Sequence, residues 1–382
     1  MCAVEWKKLG DVEDAGILEL GRGKVISKTE MRDNPGDYPV YSSSSQGDGE
    51  IGRYGLYMFD DERITWSIDG GGKLFYRNNL KYSVTNVGGW IKVKRNDLYN
   101  TRFLYYLLYS QWINKTFDYT QKAHPSVIRN EYIIPDIPII EQERIVFILD
   151  TFTTLISNLE SELDMRRKQY EHYRNQLLDF EGVEGVEWKK IGSITRVFSA
   201  SRVHKDEWTN EGVPFWRSSD LISFFNNVDN PKGKAFISYE LYEKLSAKSG
   251  KISKDDILVT GGGTIGIPYI VPNDNPLYVK DADLLCIVHN DAFVSKYLYQ
   301  YMLCSDFRNY LSSLSNNATI AHYTITQIND TIIPLPSKQI QQEIVEKLDT
   351  FEQLIQSLEQ EFKLRKQQYE YYREKLLTFE KE

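Results

Sequence analysis

The chain has 382 residues, 41% of them hydrophobic, and a formal net charge of −8. That length allows two or three domains with cores of their own, and no apolar run approaches the roughly 18 residues of a membrane span. The acidic balance argues at first against nucleic acid, but it is unevenly spread. Residues 1–140 carry 18 basic and 18 acidic side chains and residues 183–338 carry 16 and 17, so the excess lies in stretches 141–182 and 339–382. Neither larger region is acidic, and clusters such as Lys92-Val93-Lys94-Arg95, ordinarily solvated faces, remain open to phosphates. Cys2, Cys286 and Cys304 are isolated, which favours reduced cytosolic thiols over a disulfide or zinc framework. The start Met1-Cys2-Ala3-Val4 lacks a signal-peptide pattern, so a cytoplasmic location is expected.

The chain opens on Val4-Glu5-Trp6-Lys7-Lys8, a run that returns as Val186-Glu187-Trp188-Lys189-Lys190. Between them, stretches 51–59, 63–68 and 84–93 are rich in β-branched and aromatic residues and predict strands, and residues 102–117 predict an amphipathic helix. Ala123-His124-Pro125-Ser126-Val127 and the exit Pro135-Asp136-Ile137-Pro138 close this first head. A long helix follows. Ile145, Ile148, Phe152, Leu155, Leu159, Leu163, Arg166, Tyr170, Tyr173 and Leu177 recur at steps of three and four, the seam of a coiled coil. About 34 residues of helix make a rod of roughly 50 Å that must bury its stripe against a partner.

The second head repeats the plan, with strands expected at 256–259 and 284–288 and a helix at 295–314. Ala321-His322-Tyr323-Thr324-Ile325 echoes the earlier Ala-His run, which puts His124 and His322 at matching places. After Pro334-Leu335-Pro336 comes the second long helix, with its seam at Ile344, Leu348, Phe351, Leu354, Leu358, Phe362, Arg365, Tyr369, Tyr372 and Leu376. From Asp150-Thr151-Phe152 and Asp349-Thr350-Phe351 onward the two helices match at a constant offset of 199 residues. A homodimeric coiled coil is one way to cover both seams. Pairing within the chain is expected instead, because two matched helices already share it, and the pairing should be antiparallel, over residues 143–180 and 342–379. The organisation expected is target-facing head 1–142, helix 143–181, head 182–338 and helix 339–382, of mixed α/β (α+β) class with an approximate two-fold.

No catalytic set emerges. Gly261-Gly262-Gly263-Thr264-Ile265-Gly266 matches a dinucleotide fingerprint, but such a turn must open a helix, and Ile267-Pro268-Tyr269-Ile270-Val271-Pro272 follows instead. Asp69-Gly70-Gly71-Gly72 stands at the equivalent place in the first head. Both read as glycine turns that let backbone approach a phosphate. The Asn-Pro pairs at 34, 230 and 275 are not the aromatic-bearing motif of amino-methyltransferases, and Pro135-Asp136 has no acid-x-Lys partner of a nuclease.

The order head–helix–head–helix resembles the DNA-specificity subunits of type I restriction-modification systems. The likeness is carried by Pro138-Ile139-Ile140-Glu141-Gln142-Glu143-Arg144-Ile145-Val146 before Leu149-Asp150, and by Pro336, Gln341, Ile344-Val345 and Leu348-Asp349. Gly212-Val213-Pro214-Phe215 and Tyr38-Pro39-Val40-Tyr41 extend it into the heads. One departure is an apparent extra residue between Pro336 and Ile344. The resemblance implies two target-recognition domains that read the halves of a bipartite, asymmetric site on double-stranded DNA, with the helices as a ruler. It also implies a non-catalytic chain that binds no cofactor itself. S-adenosylmethionine would sit on adenine methyltransferase subunits, two of them, and ATP on an endonuclease and translocase subunit. A related methyltransferase–nuclease system, or a coiled-coil scaffold without DNA function, are the alternatives.

Candidate DNA-binding residues are Ser44, Gln46, Lys73, Arg77, Lys122 and His124 in the first head. In the second they are Arg217, Ser218, Thr264, Asn316, His322 and Tyr323. All lie in turn-like or polar segments, where readers are expected, and Arg and Gln suit guanine and adenine edges.

Overall fold

The computed structural model of the chain describes residues 4–44, 47–78, 80–118, 120–226, 228–229, 233–315 and 322–379. It divides into two compact units, Met1–Ser161 with Gln360–Glu382, and Glu162–Glu359.

The first unit contains strands β1 (Trp6–Lys8), β2 (Leu18–Arg22), β3 (Tyr38–Tyr41), β4 (Glu50–Tyr54), β5 (Arg63–Ser67), β6 (Leu74–Arg77), β7 (Ser83–Val84), β8 (Gly88–Val93) and β9 (Ile133–Pro135). Its helices are α1 (Leu9–Asp14), α2 (Lys28–Asp33), α3 (Thr101–Trp112), α4 (Pro125–Glu131) and the first part of α5 (Ile139–Leu178). The main sheet is antiparallel in the order β2-β8-β5-β6, beside a smaller sheet β4-β3-β7 and the pair β1-β9. Trp66 of β5 lies fully buried against Gly89 of β8, where any Cβ would sit 2.2 Å from the indole, and its Nε1 donates to the Ala123 carbonyl at 2.7 Å. Glycine is required there by close approach, not by a turn.

The second unit holds β10 (Glu187–Lys190), β11 (Val197–Ser199), β12 (Trp208–Thr209), β13 (Val213–Trp216), β14 (Phe236–Ile237), β15 (Ile257–Thr260), β16 (Pro268–Ile270), β17 (Tyr278–Val279), β18 (Leu284–Ile287) and β19 (Ile332–Leu335). Among them lie α6 (Ile191–Ile194), α7 (Ser218–Phe225), α8 (Tyr239–Ser249), α9 (Ser295–Leu303), α10 (Ser305–Ser315), α11 (Ile325–Asp330) and the start of α12 (Lys338–Leu377). Its main sheet, β11-β18-β15-β16, repeats the first, and Ile257 faces Ile287 as Ile64 faces Ile91. The echoed Trp-Lys-Lys runs are β1 and β10. Each pairs antiparallel with the strand that leaves its head, Trp6 opposite Pro135 and Trp188 opposite Pro334.

The long helices each run 40 residues and begin at Ile139 and Lys338, earlier than their apolar seams indicate. Within the first unit, Ile145 and Leu149 share a core with Leu377, and Phe152 meets Tyr369. Within the second, Arg167 bonds Glu359 at 2.6 Å and Tyr170 meets Phe351. In both, rising numbers on α5 meet falling numbers on α12, so the helices pair antiparallel inside one chain. The seam differs in detail from the expected one. Leu149 and Ile355 take buried places, whereas Leu354 is 40% exposed, because the helix rotates its stripe where steps of four replace steps of three.

The apparent extra residue before Ile344 is not there. Gln142 and Gln341, both essentially inaccessible, each donate Nε2 to the carbonyl five residues back, Ile137 at 2.9 Å and Pro336 at 2.9 Å. Pro336 is therefore the counterpart of Ile137, not of Pro138, and the two helix starts share one register. Their Oε1 atoms accept from the Asn100 and Val294 amides at 2.9 and 2.8 Å, the residues that precede α3 and α9. One side chain thus joins the helix start to the helix beneath it, which is why glutamine belongs in this motif. Next to it, Arg102 pairs with Asp150 at 2.8 Å in one unit and Lys296 with Asp349 in the other. The expected helix at 295–314 is two helices, broken at Cys304, where the Asn175 side chain accepts from the Ser305 amide at 2.9 Å. Cys286 and Cys304 are buried free thiols.

Candidate nucleic-acid interface

Three segments converge in each head: the exit of a short strand, the glycine turn after the central strand, and the run before a short helix. In the first unit the exit follows β3. A Cβ on Gly70 would fall 1.8 Å from the Ser43 carbonyl, so the turn after β5 accepts the exit only because it is glycine. The Ala123 amide donates to Ile68 O at 3.1 Å and closes the third side. In the second unit the exit follows β13, and Ser218 Oγ and the Gly261 amide both donate to the Asp283 carbonyl, at 3.3 and 2.8 Å. The Tyr323 amide donates to Gly261 O at 2.9 Å. No helix follows either glycine turn; β16 follows the second.

This register corrects the pairing of the histidines. Ile68 and Gly261 accept from Ala123 and Tyr323, so His124 corresponds to Thr324, and each is the N-cap of its short helix. His124 Nδ1 accepts from the Ser126 amide at 3.3 Å, as Thr324 Oγ1 does from Gln327. The counterpart of His322 is Lys122. Lys122 Nζ pairs with Asp69 at 3.0 Å, and His322 bridges backbone to Gly262, the residue at the place of Asp69.

The platforms match, but what grows from them does not. Between β3 and β4 the first head has a loop of residues 42–49; between β13 and β14 the second has residues 217–235, which include α7. Beside α7 opens a cavity of about 580 Å³ lined by Trp216, Asp220, Phe224 and Lys234 among others, with Phe224 59% exposed. Trp216, Phe224 and Tyr269 pack edge to face around it.

The family profile described as "Type I restriction modification DNA specificity domain" matches residues 3–165 and 183–364. The chain belongs to that family. A putative type I restriction enzyme specificity subunit of Haemophilus influenzae, S.HindORF215P, is 30% identical over 402 residues that cover 98% of this chain and 96% of the relative. A putative type I specificity subunit of Mycoplasma pneumoniae, S.MpnORF507P, is 28% identical over 95% of this chain and 96% of its own length. The S subunit of a type I restriction-modification system from M. genitalium shares the fold, with a TM-score of 0.58 at 16% identity, over 98% of this chain and 96% of that one. The HsdS subunit from Thermoanaerobacter tengcongensis does so at 0.51 and 14%, over 99% and 97%.

In this specificity subunit the candidate residues separate into two groups. Ser44, Lys73, Lys122 and His124 lie on or beside the first platform, and Lys73 Nζ reaches the Gly47 carbonyl at 3.5 Å. Thr264 is exposed on the second glycine turn and His322 is exposed next to it. The rest are engaged inside the protein. Arg77 is 5% exposed, with its guanidinium 3.4 Å from the Tyr41 ring centroid and bonded to Thr65 Oγ1 and the Asp48 carbonyl. Arg217, 9% exposed, holds Asp220 at 2.7 Å and the Gly233 carbonyl. Ser218 is buried, and the Tyr323 hydroxyl is buried on Thr331 Oγ1 at 2.6 Å. Gln46 and Asn316 lie outside the described residues. Burial pushes Arg77 below its ordinary pKa, opposed by Tyr41 and Asp48, and the same burial raises the Tyr41 hydroxyl. Among the described residues no group of three or more His, Cys, Asp or Glu side chains could hold a metal, and no helix is long and apolar enough to cross a membrane.

Proposed function

We propose that this specificity subunit reads a bipartite, asymmetric sequence on double-stranded DNA, one half with each head, and does no chemistry itself. The observation that carries this reading is the pair of like platforms with unlike insertions, residues 42–49 and 217–235. Like platforms would approach DNA in the same way, with backbone and lysine contacts to phosphate for register, whereas unlike insertions would present different groups to base edges. Ser44, Lys73, Lys122, His124, Thr264 and His322 are assigned to that surface. Arg77, Arg217, Ser218 and Tyr323 are assigned to holding its segments in place.

The paired helices α5 and α12 set the gap between half-sites. Two adenine methyltransferase subunits that bind S-adenosylmethionine, and an ATP-dependent endonuclease and translocase subunit, would assemble on the chain in the cytoplasm. The test is methylome sequencing of a host that carries the complete system. Exchange of residues 182–338 for those of a relative should change one half-site and leave the other half and the gap as they were. A native site that proved palindromic and continuous, or an exchange that altered both halves, would overturn the reading.

A further inference from the structure

Two arginines of the second unit are left without a counter-ion. Arg174 of α5 and Arg308 of α10 are partly buried, and among the described residues neither makes a salt bridge. Arg174 Nε is fully buried without a hydrogen-bond partner, while its guanidinium lies 5.3 Å from the Tyr170 ring centroid. Burial lowers the pKa of Arg308, and repulsion from Arg174 lowers it further. The Tyr299 hydroxyl faces both cations, and burial raises it, so it stays a donor. Glu352 is the carboxylate on this side, but its oxygens are taken by Tyr170, Lys296 and Gln300. Like charges held together in a partly desolvated place are costly unless an anion joins them.

The first unit has no such pair. Arg373, at the place of Arg174, is bonded to Glu370 at 3.2 Å, and counting from the starts of α3 and α9 puts Asn114 at the place of Arg308. Arg308 also borders the glycine turn. Its Nη1 lies 3.6 Å from where a Cβ on Gly266 would be, and Gly266 and Gly263 hold φ of +73° and +76°. The unpaired cations therefore lie next to the segment that carries exposed Thr264.

We propose that Arg174 and Arg308, with the Tyr299 hydroxyl, form a clamp for one backbone phosphate of duplex DNA, present in the second unit alone. The clamp rests on the DNA reading above. It adds a sequence-independent contact on one side of an otherwise repeated scaffold, and so a polarity to how the duplex is held. A guanidinium pair suits a phosphate better than lysine does, because planar forks can engage two of its oxygens.

The test uses the full chain and a fluorescent 40-base-pair duplex of random sequence, with affinity measured over a salt series. Arg308→Met keeps the apolar volume and removes the charge, and Arg308→Lys keeps the charge; thermal melting checks that both fold. The expected result for Arg308→Met is a log–log salt slope shallower by about one and roughly fivefold weaker binding near physiological salt. Arg308→Lys should recover most of the slope, and Arg373→Met should leave it as in the native chain. An unchanged slope in Arg308→Met, while the native chain binds the duplex, would overturn the clamp and leave the DNA reading standing. Failure of the native chain to bind DNA even with its partner subunits would instead remove that reading. Loss of partner assembly with an unchanged slope would assign the pair to a protein carboxylate and also overturn the clamp.

Discussion

Phe351 lies stacked on Tyr173, ring centroids 5.2 Å apart and planes 27° apart, and Phe152 lies on Tyr372 in the same way, at 5.4 Å and 24°. The two pairs are one contact made twice, since each residue of one stands 199 positions from its counterpart in the other. An offset stack of this kind adds about 1 kcal/mol to the area it buries. Phe351→Ala should therefore destabilise the chain by about 2–3 kcal/mol and Phe152→Ala by a similar amount, read from urea unfolding at neutral pH. A clearly smaller loss at one position would show that the two junctions are not energetically equivalent.

Gln142 makes three internal hydrogen bonds, to Asn100 N, Leu98 O and Ile137 O, whereas Gln341 makes two, to Val294 N and Pro336 O. Replacement by alanine leaves those backbone groups buried and unpaired, at about 1–3 kcal/mol each. Gln142→Ala should cost more than Gln341→Ala, and amide exchange at Asn100 should speed up in the first variant only. Equal costs would mean that water reaches the freed carbonyl of Leu98.

Much of this was legible because periodicity and repetition report on long helices and shared strands. The seam from Ile145 to Leu177 located α5, and the echoed Trp-Lys-Lys runs turned out to be equivalent strands. Local likeness misled where a short insertion shifted the register. His124 and His322 look matched in sequence, yet the backbone bonds from Ala123 and Tyr323 pair His124 with Thr324. Polarity misled as well, since Arg77, Arg217 and Tyr323 read as loop groups but spend their donors inside the protein. Arg174 and Arg308 could not be found from sequence, because only the fold brings residues 134 positions apart together.

Glu352 and Lys296 tie α12 to α9 and make stability of the second unit depend on pH. Burial alone would raise the Glu352 carboxyl, but the Tyr170 hydroxyl, Lys296 and the Gln300 amide hold it below its ordinary value. Burial alone would lower Lys296, but Asp349 and Glu352 hold it above its own. A depressed carboxylate contributes stability above the unfolded value, about 4.3, that is lost as pH falls through the folded one. A raised lysine contributes below about 10.4 and loses that as pH rises through its folded value. Urea midpoints at pH 7 and pH 3.5 should therefore differ less in Glu352→Gln than in the native chain. An identical difference in both would show that other carboxylates, Asp349 first, carry the acid sensitivity.

Arg77 is buried where a reader of bases would be exposed, and its bonds explain the placement. Stacked on Tyr41 and bonded to Thr65, it extends its remaining amine to the carbonyl of Asp48, within the loop that separates β3 from β4. Its task is then to hold residues 47–49 against the platform, not to touch DNA. Arg77→Met removes a charged donor to a carbonyl, worth about 1.5–3 kcal/mol, and should lower stability by that order. Arg77→Lys should lose nearly as much, because a single ammonium cannot reach both Thr65 and Asp48 in the fork geometry. At a temperature where both variants remain folded, methylation mapping with the complete system should show relaxed recognition in one half-site. The other half and the gap should stay intact. Relaxation of both halves together would mean that the substitution acts through global unfolding, whereas an unaltered site at reduced stability would show that the loop keeps its shape without Arg77.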